Sequence, residues 1–139
     1  MSITGPAPTQ QDRADVELRL PVDSAYVSVL RTTTAGLAAR LDFPIDDIED
    51  LRIAVGEASA MVIPEADEAG DLVCRYYMRP GELTVRVSVT SSRATAQPDV
   101  DSFGWQVLTT LASSARADSR DGYFTIELTL VPGQPGTGL

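Results

Sequence analysis

Residues 72–89 read LVCRYYMRPGELTVRVSV, and the reading of this stretch decides the architecture. Leu72, Cys74, Tyr76 and Met78 recur at every second position, as do Leu83, Val85, Val87 and Val89, the latter set interleaved with Glu82, Thr84, Arg86 and Ser88. A period of two places successive side chains on opposite faces, so each run is a strand with one buried face. Between them Arg79-Pro80-Gly81-Glu82 has proline and glycine at the two central positions of a tight turn. Proline presets φ and glycine tolerates the positive φ that follows, so the two strands form a hairpin.

Toward the N-terminus, Val16, Leu18, Leu20 and Val22 alternate with Glu17 and Arg19, which predicts another strand. Asp23 or Ser24 then caps a helix whose apolar stripe is Tyr26, Leu30, Thr33, Leu37 and Leu41. A second helix is predicted to start at Asp42 as N-cap, with Pro44 and several acids in its first turn, where the helix dipole favours negative charge. Its buried stripe is Ile48, Leu51, Val55, Ala58 and Val62, and Pro64 ends it. Beyond the hairpin, Ser91 to Val100 has no apolar period and reads as a loop. Asp101 or Ser102 caps a third helix carrying Trp105, Leu108, Leu111, Ala112 and Ala115, and a last strand alternates Phe124, Ile126, Leu128 and Leu130.

The order β-α-α-β-β-loop-α-β predicts an α/β two-layer sandwich, with a mixed, mainly antiparallel sheet and all three helices on one face. A chain of 139 residues with 43% hydrophobic content suits one such domain, expected over residues 16–131 between tails at 1–15 and 132–139.

All eleven positive charges are arginine, and lysine, histidine and asparagine are absent. No Ser-His-Asp or Cys-His site and no Walker P-loop can be built from such a chain. The lone Cys74 forms no internal disulfide, and without histidine there is no usual zinc set. Nothing near the N-terminus has the charged start and apolar run of a signal peptide, and no run approaches membrane-span length, so a cytoplasmic protein is expected. The net charge of −9 argues against direct nucleic-acid binding. Ten acids and one base fall between Asp42 and Asp71, while the rest of the chain is balanced. Such a block is either a solvated helix face with an acidic loop or a surface that steers a basic partner.

This element order, with Asp46-Asp47-Ile48-Glu49-Asp50-Leu51-Arg52-Ile53-Ala54-Val55-Gly56-Glu57-Ala58 on the second helix, resembles the anti-sigma regulatory factors of the RsbW/SpoIIAB type. These are small serine-protein kinases with the GHKL (Bergerat) ATP-binding fold, and the resemblance covers about Val16 to Val131. In that family an IEDLKxAVxEAxxNxxxHA helix carries a glutamate proposed as general base and, four residues on, an asparagine that ligates magnesium. The resemblance therefore implies Glu57 as candidate catalytic base and puts Met61 at the metal position. A second family motif, DxGxG, falls on Ser91, Arg93 and Thr95. A third, GxGL, falls on Ser102-Phe103-Gly104-Trp105 and keeps its second glycine. Arg31 aligns with an arginine that contacts both the sigma factor and its antagonist.

These residues also have plain structural readings. Glu57 is equally a helix carboxylate, Met61 a side chain filling nucleotide space, Arg31 a surface arginine, Trp105 and Cys74 core. The resemblance with degraded nucleotide motifs implies an anti-sigma factor that negatively regulates transcription by sequestering an alternative sigma factor, with weak or no binding of ATP and magnesium. It also implies a homodimer and release by an anti-anti-sigma protein of the STAS fold, with no membrane partner. The alternative is an active ATP-dependent serine-protein kinase that phosphorylates that STAS antagonist. A third reading is a dimer-forming module of the same fold with neither partner.

Overall fold

The computed structural model describes residues 13–92, 99–134 and 136. The tails at 1–12, 135 and 137–139 lie outside the described residues, as do Arg93 and Thr95.

Eight elements follow in order: β1 (Val16–Pro21), α1 (Val27–Arg40), α2 (Ile45–Val62), β2 (Asp71–Arg79), β3 (Glu82–Thr90), α3 (Phe103–Leu111), β4 (Ser114–Arg120) and β5 (Tyr123–Leu130). The strands form one sheet in the order β1-β2-β3-β5-β4. Every adjacent pair is antiparallel, so the expected mixture with parallel pairing is not present among the described residues. The hairpin forms as read: Arg79 pairs with Glu82, and Gly81 has φ 72°, the left-handed value that glycine adopts without a Cβ penalty.

One strand departs from expectation. The third helix was predicted to run to Ala115, but it ends at Leu111, and Ser114–Arg120 pairs with β5 at the sheet edge. The core-side positions of β4 hold Ala115, Ala117 and Ser119, of which the two alanines pack against the core, and Arg116, Asp118 and Arg120 alternate with them. An edge strand of small and charged residues discourages pairing with other chains, and it leaves little apolar signal to read. Asp121-Gly122, with φ of 55° and 80°, makes the turn into β5. That dipeptide is the local hairpin signal that the apolar pattern overlooks.

All three helices pack on one face of the sheet, giving the two-layer α+β arrangement. Tyr76, Val85, Val87, Ile126 and Leu128 from the sheet meet Leu30, Leu51, Val55 and Leu108 from the helices in a single core. The buried line of α1 is Val27, Leu30, Thr34 and Ala38, rotated from the expected stripe. Tyr26 belongs to a preceding 3-10 turn, Ser24–Tyr26, and is exposed. Thr34 can be buried because its hydroxyl donates to the Leu30 carbonyl at 2.7 Å and lies 2.9 Å from the Tyr76 hydroxyl. α2 lies between α1 and α3 and is buried on several sides, at Leu51, Ala54, Val55, Gly56, Ala58, Ser59 and Val62.

Asp42 is not the N-cap of α2. It occupies a left-handed turn at φ 60°, and extended Pro44 stands at the cap, with Asp47 and Ile48 amides bonded to its carbonyl. Ser102 does cap α3, accepting from Trp105 N at 3.1 Å. Cys74 is buried on the core side of β2.

Candidate functional site

Three of the sequence-derived residues meet where α2 faces the start of α3. Glu57 and Met61 stand one helical turn apart on α2. Gly104, in the first turn of α3, packs against both: a Cβ built there would lie 3.0 Å from Glu57 Oε2 and 3.8 Å from Met61 Sδ. A Cβ here would press on the end of the Glu57 side chain and touch Met61 in ordinary contact, so glycine leaves the Glu57 carboxylate room against α3. Met61 is half-buried against the core. Ser102 is engaged as the cap of α3. Ser91, buried at the end of β3, donates its amide to the Gly122 carbonyl at 2.8 Å.

The donor set at this junction does not fit magnesium. Mg²⁺ demands hard oxygen ligands in near-octahedral geometry, and a thioether is soft and neutral. Glu57 is the one carboxylate that the Gly104 contacts bring here, and among the described residues no group of three or more acids or cysteines could hold a metal ion. Phe103, beside Gly104, is 79% exposed, an apolar ring on the surface that the helical pattern did not single out.

Arg31 faces another part of α2. Its guanidinium lies across Gly56, where a Cβ would sit 2.6 Å from a terminal nitrogen and 2.8 Å from Nε. Arg31 and Gly56 line a cavity of about 470 Å³ together with Ser24, Val27, Ala60 and Ile63. Arg31 and Glu57 therefore belong to separate surfaces of α2, one toward α1 and the other toward α3.

The acidic segment divides into structural and solvated parts. Asp71 pairs with Arg19 at 2.9 Å. Asp67 closes the exit of β3: its amide donates to the Thr90 carbonyl at 2.8 Å, and its Oδ1 accepts from both the amide and the hydroxyl of Ser92, at 2.9 and 3.0 Å. Composition alone gave no sign of this clamp, which depends on a contact across 25 positions. The Asp50 carboxyl is pushed up, first by burial and then by the charges of Asp47 and Asp46. Asp42, Asp46, Glu49 and Glu68 remain exposed.

No family model matches the chain. Proteins named serine-protein kinase RsbW, from Bacillus thuringiensis strain Al Hakam and Bacillus cereus strain AH820, are 32% identical to it over 75 residues, covering 52% of this chain and 47% of each relative. A Bacillus anthracis protein of the same name matches equally. Over this stretch the chain is similar to the RsbW serine-protein kinases. It spans about half the length of these curated relatives in the match. Among the described residues no helix is long and apolar enough to cross a membrane.

Proposed function

We propose that this RsbW relative is an anti-sigma factor that sequesters an alternative sigma factor by direct contact and works as a scaffold, without ATP, magnesium or phosphotransfer. The observation that carries the reading is Met61. A thioether stands where the resemblance implies the magnesium ligand, packed toward Glu57 and Gly104. Phosphoryl transfer rests on positioning and on charge stabilisation by the metal, so a soft neutral group at that point removes the main source of catalysis. Ser91 and Ser102 support the same reading, since each falls at a nucleotide-motif position without the family's residue, and the Ser102 side chain is occupied in a helix cap.

The partner surface in this reading is the α1 side, with Arg31 over Gly56 and the cavity beside it. The exposed acids at the start of α2 supplement it by attracting basic surface on a DNA-binding partner. A STAS-fold antagonist competes for that surface, and the working unit is a homodimer. With no phosphotransfer by this chain, release depends on a signal delivered through the antagonist.

The second reading, an active serine-protein kinase, rests on Glu57 at the family's base position. Calorimetry with ATP and magnesium, paired with a phosphotransfer assay on a STAS antagonist, separates the two. The scaffold reading expects no saturable heat and no transfer, together with sigma-factor capture that nucleotide does not alter. Saturable binding with detectable transfer overturns it. Arg31→Glu is expected to weaken sigma-factor binding while the thermal midpoint is kept, and unchanged affinity removes Arg31 from the surface.

A further inference from the structure

The outer face of the sheet, opposite the helices, carries a row of charges crossing all five strands: Glu17, Arg75, Arg86, Glu127 and Arg116 are cross-strand neighbours in that order. Arg75 and Arg86 stand directly opposite each other, and like charges in that relation repel. Arg75 Nε donates to Glu17 Oε1 at 2.8 Å. Glu127 is shared, with Oε1 3.0 Å from Arg116 Nε and Oε2 3.2 Å from Arg86 Nε. The latter contact is out of line for a hydrogen bond, and Arg86 Nε is buried from water without a hydrogen-bond partner among the described residues. Two carboxylates thus serve three arginines.

The Arg75–Arg86 pair forms the wall between two surface cavities. One, of about 650 Å³, is lined by Arg13, Ala14, Glu17, Arg75, Tyr77 and Arg86. The other, of about 290 Å³, adds Arg120, the Ser88 and Thr125 hydroxyls and two carboxylates, Asp118 and Asp121, and is the less cationic of the two. We propose that the larger cavity is an oxyanion site, built on Arg75 and Arg86 with Arg13 at its rim, that takes a phosphoryl dianion. The charge count favours that occupant: the row leaves one positive charge unmatched, Arg13 adds a second, and a phosphoryl group carries about −1.5 to −2 near neutral pH. Guanidinium forks match oxyanion geometry, and Glu17 takes one of the five N–H donors on Arg75 at its recorded bond. The site is independent of the anti-sigma reading, which uses α1 and α2. The phosphoryl group belongs to a free phosphate or to a phosphorylated side chain of a protein.

The test follows the arginine Nε–H resonances of the full chain by nitrogen-edited NMR at constant ionic strength. Inorganic phosphate, a phosphoserine peptide and the same peptide unphosphorylated are titrated separately. Saturable shifts at Arg75 and Arg86 are expected with phosphate or with the phosphopeptide, and which one saturates assigns the source. Arg86→Gln is expected to weaken binding roughly tenfold or more, Arg86→Lys to weaken it because the charge stays but the fork is lost, and Arg79→Gln to leave it unchanged. Should Arg86→Gln unfold the sheet, Arg86→Lys and Arg13→Gln carry the same comparison. No saturable shift with either phosphoryl probe, equal binding of the unphosphorylated peptide, or binding indifferent to Arg86 and Arg13 overturns the proposal.

Discussion

The guanidinium of Arg31 is laid over Gly56, and the absence of a Cβ at residue 56 is what makes room for it: that atom would fall 2.6 Å from the nearest guanidinium nitrogen. A residue on α1 is thereby positioned by a gap in α2. Gly56→Ala closes the gap. The obstructed atoms are the free end of a flexible side chain, so the helix can keep its place while Arg31 moves out. Alanine also favours a helix interior over glycine by about 1 kcal/mol. The variant is expected to melt within about 1 kcal/mol of the parent and to lose sigma-factor affinity in the same direction as Arg31→Glu. Wild-type affinity in Gly56→Ala would show that the seated position of Arg31 is irrelevant to binding.

Asp67 offers a test in a region where acids had the appearance of plain solvation. Asp67→Ala removes the acceptor for the Ser92 amide and hydroxyl. A loss of about 1 kcal/mol in urea unfolding is expected, with faster hydrogen exchange at the Ser92 amide and little change in the core strands. Asp67→Asn keeps an acceptor oxygen and should restore most of the protection. Exchange at Ser92 that ignores both substitutions would contradict the clamp.

The contrast between these two residues shows what the chain discloses before folding. The hairpin of β2 and β3 was legible because Pro80-Gly81 and a strict period of two state it locally. β4 was not, since its core-facing positions are two alanines and a serine, and strand character there comes from pairing with β5. Thr34 was passed over for Thr33 because burial of a hydroxyl depends on Tyr76, a partner 42 positions away. In the candidate site, Glu57, Met61 and Gly104 were marked through the family resemblance, and their mutual packing is a tertiary fact. Asp67 and the Arg75–Arg86 pair carry no local signature at all.

Met61→Asn asks whether a single ligand is what separates this chain from a kinase. It supplies the hard amide oxygen that magnesium prefers. Ser91 and Ser102 remain at the other motif positions. The variant is therefore expected to show no saturable ATP binding by calorimetry, and to lose about 1–2 kcal/mol of stability as a half-buried thioether gives way to a polar amide. Binding and phosphotransfer gained from this one change would place the whole defect at residue 61.

Alkaline unfolding reads the buried face of β2. Burial pushes the Cys74 thiol up from 9.0 to about 12, against a smaller opposing effect of its hydrogen bond with Tyr76. Below pH 9.0 the thiol is neutral in both folded and unfolded chains, so its burial costs nothing in charge. Above that point the unfolded chain releases the proton while the folded chain holds it. Stability should then fall by about 1.4 kcal/mol per pH unit, continuing until the folded thiol itself ionises. The Tyr76 hydroxyl, also pushed up chiefly by burial, steepens the fall above its ordinary value of 10.0. Urea unfolding from about pH 8 to about pH 11 measures the slope. Cys74→Ala is expected to flatten its first part and Tyr76→Phe its second, whatever each substitution does to stability at neutral pH. A pH profile unchanged in shape by Cys74→Ala would mean that the thiol ionises as readily in the fold as outside it.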